Sequence, residues 1–165
     1  MSSERRQVTA DEFRRGCGRF ATGVTVATVL DSQSVPHGLT VSSFTSVSLH
    51  PPLILICIGH GVTCIDAFRA ATHFGINVLS AEQRAISERF ARKGHDRFDG
   101  MRWERGETGV PLLSGVLAKI ECAVYERIVA GDHDIFVGRM IRAEVADGEP
   151  LLYFASHYRE IGELP

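Results

Sequence analysis

The stretch GLTVSSFTSVSLHPPLILICI, residues 38–58, largely decides how the chain is expected to fold. Residues 39–49 are dominated by Ser, Thr and Val, which favour strand or extended backbone. Pro51 and Pro52 then bar a helix, and the apolar run 53–58 follows them directly. The stretch therefore predicts an extended, hydroxyl-rich segment that leads into a buried strand.

A helix is predicted upstream of this stretch, from residue 10 to about residue 21. Thr9 is a suitable N-cap, and Glu12 lies three residues on, where it completes a capping box. Four residues recur at helical spacing and are expected to face the core: Phe13, Cys17, Phe20 and Ala21.

The remaining elements follow from β-branched runs and helix-start signals. Strands are expected over 24–29, 74–79, 116–129, 135–145 and 151–153, and short helices over 63–71 and 81–91, with a long charged connection at 92–115. About six or seven strands result, and regular helices do not separate them. We therefore predict a mainly β fold, a closed antiparallel barrel with peripheral helices.

Length and composition bound the class of protein. The 165 residues suit one domain, and we assign residues 1–8 to a flexible tail and 9–165 to a single domain. The net charge of −2 is spread along the chain, which argues against nucleic acid as a partner. The start lacks a signal-peptide pattern, and no apolar run approaches the roughly 20 residues of a membrane span. A cytoplasmic protein without a membrane partner is expected.

Several common chemistries lack their motifs here. None of the four cysteines, Cys17, Cys57, Cys64 and Cys122, forms a CxxC pair, so we predict reduced thiols and no metal site. The patterns GxGxxG, GxxxxGK[ST], GxSxG and HExxH are also absent.

Three local features remain as candidates for binding or catalysis. The segment 40–48, TVSSFTSVS, would let a flat flavin ring approach its backbone amides, or it is simply a polar edge strand. Thr63, after Gly61, precedes a short helix and would suit a phosphate or serve as an ordinary N-cap. His133, in the acidic turn 131–134, would contact a nicotinamide, be a turn histidine, or bind a metal.

Taken together, these segments resemble the flavin reductase family with an FMN-binding split barrel. Its members are the small reductase components of two-component flavin-dependent monooxygenases. The resemblance lies in seven stretches that follow in order: residues 20–28, 38–58, 74–91, 96–103, 108–122, 131–140 and 150–154.

The resemblance implies a homodimer of Greek-key split barrels with flavin near the dimer interface. It also implies a set of binding residues. Thr40, Val41, Ser42, Ser43 and Phe44 would hold the isoalloxazine and ribityl part, Thr45 and Ser46 would lie near the reactive ring edge, and Cys57 would lie near the flavin. Thr63 would bind the phosphate, Phe90 and Ala91 would close over the flavin, and His133, beside Asp132, would contact the nicotinamide. Many relatives carry Asn at the position of Ser42, so the choice of FMN or FAD stays open.

The activity implied is an NAD(P)H-dependent flavin reductase. Hydride would pass from nicotinamide C4 to flavin N5, His133 would orient the nicotinamide, and reduced FMN or FAD would serve a partner monooxygenase. Two alternatives stay open. One is a protein of the same fold that keeps its flavin and reduces a corrinoid metal or ferric iron, and the other is a flavin- or haem-binding module without catalysis.

Overall fold

The structure is a computed structural model, and it describes residues 6–94 and 97–162. The strands are β1 Thr22–Gly23, β2 Thr25–Leu30, β3 Pro36–Val41, β4 Thr45–Leu49, β5 Pro52–Gly59, β6 His73–Val78, β7 Trp103–Arg105, β8 Pro111–Leu113, β9 Ala118–Ala130, β10 His133–Val145, β11 Leu152–Phe154 and β12 His157–Arg159. The helices are α1 Ala10–Cys17, α2 Ile65–Ala70 and α3 Arg84–Ala91, with a 3₁₀ turn at Ala81–Gln83.

A seven-stranded antiparallel sheet, in the order β3-β2-β6-β9-β10-β5-β4, carries most of the core. The predicted mainly β split-barrel class is confirmed, but the expected closure of the barrel is wrong. The sheet is open because its two edge strands, β3 and β4, do not pair, and residues 42–44 that join them belong to neither strand. At the β3 edge α3 takes the place of a strand, and Thr40 Oγ donates to the Ser87 carbonyl at 2.6 Å.

Two apolar clusters fill the inside of the fold. The larger one packs the sheet against α2, where the Phe68 and Phe136 rings meet edge to face at 6.1 Å between centroids. The smaller one lies under α3 and includes Phe90, whose ring meets Phe98 at 5.0 Å. Burial of aromatic and branched side chains on both sides of the sheet is what holds the split barrel together.

Gly138 is a point where the core tolerates no side chain. A Cβ at this position of β10 would overlap the Phe74 ring and lie 2.9 Å from Cys122 Cβ. Gly138→Ala should therefore lower the free energy of unfolding by about 1–3 kcal/mol, the usual cost of overpacking. Urea unfolding measures the change, with Gly23→Ala as the control because a Cβ there meets nothing within 4 Å. Equal stability of the two variants would contradict the packing at Gly138.

The N-terminal helix begins as predicted and ends early. Thr9 caps α1 with both hydrogen bonds of a capping box, but the helix stops at Cys17 and not near residue 21. The expected burial of its apolar residues is wrong: Phe13 is 64% exposed, Phe20 77%, and Cys17 and Ala21 are exposed as well. The reason is that α1 lies outside the sheet, where its apolar side borders surface cavities.

Elsewhere the predicted elements agree with the structure to within a few residues. The extended segment 39–49 is broken into β3 and β4, and the predicted connection 92–115 contains the hairpin β7–β8. The helix predicted after Ser80 opens as a 3₁₀ turn with a capping box to Gln83. The tail predicted at 1–8 falls mainly on residues 1–5, which lie outside the described residues, as do His95, Asp96 and 163–165. The single domain over 9–165 stays a prediction.

Candidate functional site

A cavity of about 820 Å³ lies between α1 and the strand pair β5–β10. Its volume falls within the range of roughly 300–1,000 Å³ that is typical of small-molecule sites. The helix side and the strand side contribute about equally to its lining: Val8, Thr9, Ala10, Phe13 and Arg14, and Cys57, Ala130, Asp132, His133 and Ile135. Of the predicted site residues, the structure brings Cys57, Asp132 and His133 to this one cavity.

Strand register explains why these side chains share a face. In the antiparallel ladder His133 is paired with Gly59, and Ile135 with Cys57. Paired residues point to the same side of a sheet and alternate residues point to opposite sides. The cavity face therefore carries these four positions, while Asp134 between them points inward and is fully buried.

The His133 imidazole lies over the backbone of Gly59. A methyl group at Gly59 would be 3.3 Å from His133 Nε2, so the missing side chain makes room for the ring. His133 Nδ1 donates to the Asp132 carboxylate at 2.7 Å, and this hydrogen bond lowers the pKa of Asp132. The side chain of His133 is 48% exposed, so the imidazole is open to a ligand in the cavity.

Ser43 attaches the segment 42–44 to β5. Its Oγ accepts from the Cys57 amide at 2.8 Å and donates to the Cys57 carbonyl at 3.2 Å. The β4–β5 ladder ends with the pair Thr45 and Leu55, and the next pair would be residue 43 with Cys57. At that position the Ser43 side chain, in place of a strand backbone, forms hydrogen bonds with the amide and carbonyl of Cys57. Thr45 and Ser46 are exposed on β4, and Phe44 packs against the larger cluster.

The neighbours of Ser43 have other surroundings. Val41 is buried, and the Thr40 hydroxyl is used by α3. Ser42 is exposed and borders a second cavity of about 410 Å³, together with Phe13 and Phe20 of the N-terminal segment. The hydroxyl-rich stretch thus lines the 410 Å³ cavity through Ser42, and it meets the 820 Å³ cavity only indirectly, through the hydrogen bonds of Ser43 to Cys57.

None of residues 40–46 lines the 820 Å³ cavity, and the three remaining predicted flavin contacts also lie away from it. Thr63 is exposed and borders a cavity of about 530 Å³, and it is not the N-cap of α2, since Cys64 precedes Ile65 there. Phe90 is fully buried in the smaller cluster, which leaves none of its ring surface for a flavin to contact, so its role here is packing. Ala91 is exposed at the end of α3.

Sequence reasoning missed the contribution of α1 to the site. The spacing of its apolar residues predicts a core-facing side, whereas Phe13 borders the cavity, as does Val8 just before the helix. Ala130 and Ile135 were also missed, although their positions beside the turn that carries His133 could have indicated them.

Behind the cavity, on the inner face of β10, Asp134 holds a cluster of charges. Its fully buried carboxylate accepts from Arg69 Nε at 2.7 Å and from His60 Nε2 at 2.9 Å, and Arg127 lies at 3.6 Å. The hydrogen bond from Arg69 is the main reason that the pKa of Asp134 falls to about 2, against burial, which opposes the shift.

This pKa predicts an acid dependence of stability. The pKa in the folded state lies below the ordinary 3.8, so the carboxylate stabilises the fold above about pH 4 and loses this effect as the pH falls through about 2. Asp134→Asn should therefore lose less unfolding free energy than the wild type between about pH 5 and about pH 2.5, as measured by urea unfolding followed by circular dichroism. Parallel loss in both proteins would show that Asp134 does not carry this dependence.

Comparison with known proteins identifies the family. The family model of the flavin reductase like domain matches residues 17–162. This chain belongs to the flavin reductase family.

Characterised relatives match most of the chain. It is 47% identical over 141 residues to the FMN reductase (NADH) SmoA of Agrobacterium fabrum, covering 86% of this chain and 80% of that protein. It is 35% identical over 147 residues to the reductase component of the 4-nitrophenol 4-monooxygenase/4-nitrocatechol 2-monooxygenase of Rhodococcus opacus, covering 89% and 78%. The chain spans roughly half the length of two further curated relatives.

A solved structure agrees with the fold. The NADH:FAD oxidoreductase SgcE6 of Streptomyces globisporus, in complex with NAD and FAD fragments, superposes with a TM-score of 0.87 at 39% identity. The match covers 96% of this chain and 98% of that one. Within residues 6–94 and 97–162, no helix has the length and apolar character that crossing a membrane requires.

Proposed function

We propose that this protein is an NAD(P)H-dependent flavin reductase that reduces FMN or FAD. The observation that carries the proposal is the meeting, in one 820 Å³ cavity, of a half-exposed imidazole over Gly59 with the Cys57 strand that Ser43 holds. Family membership and the flavin reductases among the relatives support the same reaction.

The residues present suit a flat ring. Ser42, Thr45 and Ser46 are small and exposed, so a planar ligand can approach the backbone of this segment closely. Backbone N–H groups aimed at such a ring would stabilise the negative charge that it gains on reduction. In the proposal, residues 40–44 bind the isoalloxazine and ribityl part, and Thr45, Ser46 and Cys57 lie near the ring. Thr63 binds the phosphate, and Ala91 closes over the flavin.

His133 has the role of seating the nicotinamide. The nicotinamide supplies the hydride from C4 and the flavin accepts it at N5, so the protein needs to supply orientation and electrostatics and no general base. By holding the nicotinamide and flavin rings in contact, the protein would make a bimolecular reaction effectively unimolecular. This is the main contribution that we assign to the site. Asp132 fixes the tautomer of His133 through its Nδ1 hydrogen bond.

A matrix of two nicotinamides against two flavins tests the proposal. Purified protein is mixed with NADH or NADPH and with FMN or FAD, and the nicotinamide absorbance is followed. Oxidation that depends on added flavin, in many turnovers per protein, is expected. No oxidation in any of the four mixtures would favour a binding module, and flavin retained through gel filtration with poor turnover of added flavin would favour a protein that keeps its flavin.

The proposed partners are a second copy of this chain and a flavin-dependent monooxygenase. Large apolar side chains are exposed on α1 and just after it, on β4 and on the β9–β10 hairpin: Phe13, Phe20, Val47, Leu49, Tyr125, Val129, Ile141 and Val145. Exposed apolar side chains of this kind are found at interfaces, and in the proposal a homodimer covers them. Light scattering should then give twice the 18.1 kDa of one chain, and a monomer at all concentrations would contradict the dimer.

The monooxygenase follows from the chemistry of the product. Reduced flavin reacts with oxygen, so a partner that takes it up directly is the expected consumer. The Rhodococcus opacus relative is named as the reductase component of a monooxygenase. We place the protein in the cytoplasm, where reduced nicotinamide cofactors are formed. A purified flavin-dependent monooxygenase supplied with this protein, NADH and flavin should form its hydroxylated product, and should form none when this protein is left out.

Phe13 provides a test of the helix side of the cavity. It is 64% exposed and borders the cavity opposite His133, so its loss should cost little stability. Phe13→Ala should raise the KM for flavin or nicotinamide about two- to tenfold, the value of one aromatic contact. Val35→Ala, an exposed apolar residue in a remote turn, serves as the control. Unchanged KM values for both substrates would exclude α1 from the binding site.

A further inference from the structure

His60 forms hydrogen bonds with both residues that flank His133 in sequence, Asp132 and Asp134. Its backbone N–H donates to the Asp132 carbonyl at 2.8 Å, and its Nε2 donates to the Asp134 carboxylate at 2.9 Å. His60 directly follows Gly59, over which the His133 ring lies. His60 therefore connects Gly59, which lies beneath the imidazole, to Asp132 and Asp134, the two residues that flank His133 in sequence.

Asp134 fixes this arrangement from inside the protein. It is fully buried and binds groups from three other elements: Arg69 of α2, Arg127 of β9, and His60 from the loop after β5. Asp66 of α2 lies 3.7 Å from Arg69 and completes the charged groups around it. A buried charge with several partners is costly to rearrange, so the cluster resists movement of the turn at 131–133.

Neither residue borders the 820 Å³ cavity. Asp134 points to the opposite face of β10, and His60 is absent from the cavity lining. Any effect of these two side chains on the nicotinamide is therefore indirect, through the turn and strand that carry Asp132, His133 and Ile135.

We infer that Asp134 and His60 are positioning residues that hold the His133 imidazole where it meets the nicotinamide. The inference rests on the proposed function. It predicts that loosening the cluster impairs nicotinamide binding and leaves flavin binding largely intact, because the flavin contacts on Ser43 and Cys57 are joined by separate hydrogen bonds.

Two variants and one matched control test the inference. Asp134→Asn keeps the shape and removes the charge. His60→Ala removes the Nε2 hydrogen bond to Asp134 and leaves the backbone hydrogen bond to Asp132 and the two arginines of Asp134 in place. The control is Glu121→Gln, since Glu121 is also a buried carboxylate, 2% exposed, and it accepts from the Thr108 amide at 2.7 Å and the Glu107 amide at 3.1 Å. Glu121 lies on β9 outside the cavity lining, so it reports the effect of losing a buried charge alone.

We expect both test variants to raise the KM for the nicotinamide about tenfold, the loss typical of a hydrogen bond to a charged group, with the flavin KM within about twofold of the wild type. In NMR spectra, the His133 ring resonances, assigned by their loss in His133→Ala, should shift in both variants and not in the control. If Asp134→Asn fails to fold, His60→Ala still decides the outcome.

The failures of the inference and of the proposed function are distinguishable. A wild-type protein that oxidises neither NADH nor NADPH with either flavin would overturn the proposed function. An active wild type whose two variants keep the nicotinamide KM and the His133 resonances would overturn the positioning role alone. A nicotinamide KM raised equally in Glu121→Gln would also overturn it, since a general loss of rigidity would then explain the effect.

Discussion

Replacing His133 by alanine should raise the KM for the nicotinamide at least about tenfold while the flavin KM stays within about twofold. The imidazole is a half-exposed polar group of the cavity. Gly59 leaves room for its ring, and Asp132 accepts a hydrogen bond from it. Its loss removes a contact to the electron donor, whereas the hydrogen bonds between Ser43 and Cys57 remain. Steady-state kinetics with each substrate varied in turn measures the two values.

The control for this variant is His73→Ala. His73 lies on β6, outside the lining of the 820 Å³ cavity, and its Nδ1 is hydrogen-bonded to Thr72 at 3.0 Å. Its removal tests the loss of a histidine without a change at the site. If His133→Ala kept the nicotinamide KM and the turnover rate of the wild type, His133 would have no part in the site.

The second large effect is expected at Ser43. Ser43→Ala removes both hydrogen bonds to the Cys57 backbone and leaves that amide and carbonyl without this partner. The segment 42–44, which belongs to no strand, would then be free to move away from β5. Because each hydrogen bond contributes about 0.5–1.5 kcal/mol, we expect the Kd for flavin to rise about tenfold or more.

Quenching of flavin fluorescence on titration with protein gives this Kd directly. Ser48→Ala is the matched control, since Ser48 belongs to the same hydroxyl-rich stretch but pairs with Leu53 at the far end of β4. The KM for the nicotinamide should stay near the wild-type value in Ser43→Ala. A flavin Kd equal to that of Ser48→Ala would place the flavin away from the Ser43 segment.

Local sequence signals predicted the elements of this fold well. The β-branched run at 24–29 and the apolar run at 53–58 both form strands, and Thr9 and Ser80 both begin helical segments through capping boxes. These features depend on neighbours in sequence, which a single chain displays. The split-barrel class and the reductase family followed from seven ordered stretches, and not from any one of them.

The packing of elements that are distant in sequence could not be predicted in the same way. The openness of the sheet depends on β3 and β4 failing to meet, and no local pattern encodes that failure. The exposed position of α1 shows the same limit, because helical spacing indicates an apolar side without saying what it faces.

The site itself was predicted in part. The motif around His133 identified the imidazole, but only the register with β5 shows that Gly59 lies beneath it. Asp134, one residue on, points inward by strand alternation, and its partners Arg69 and His60 are 65 and 74 residues away in sequence. Charge partners at such separations are visible only once the chain is folded.

A crystal structure of the protein with FMN or FAD and NAD bound tests the central claim most directly. Our account predicts the isoalloxazine ring against residues 43–46 and Cys57, with the nicotinamide stacked on it in contact with His133. Ring density in the cavity of Thr63 alone, or anywhere remote from Ser43 and His133, would contradict it.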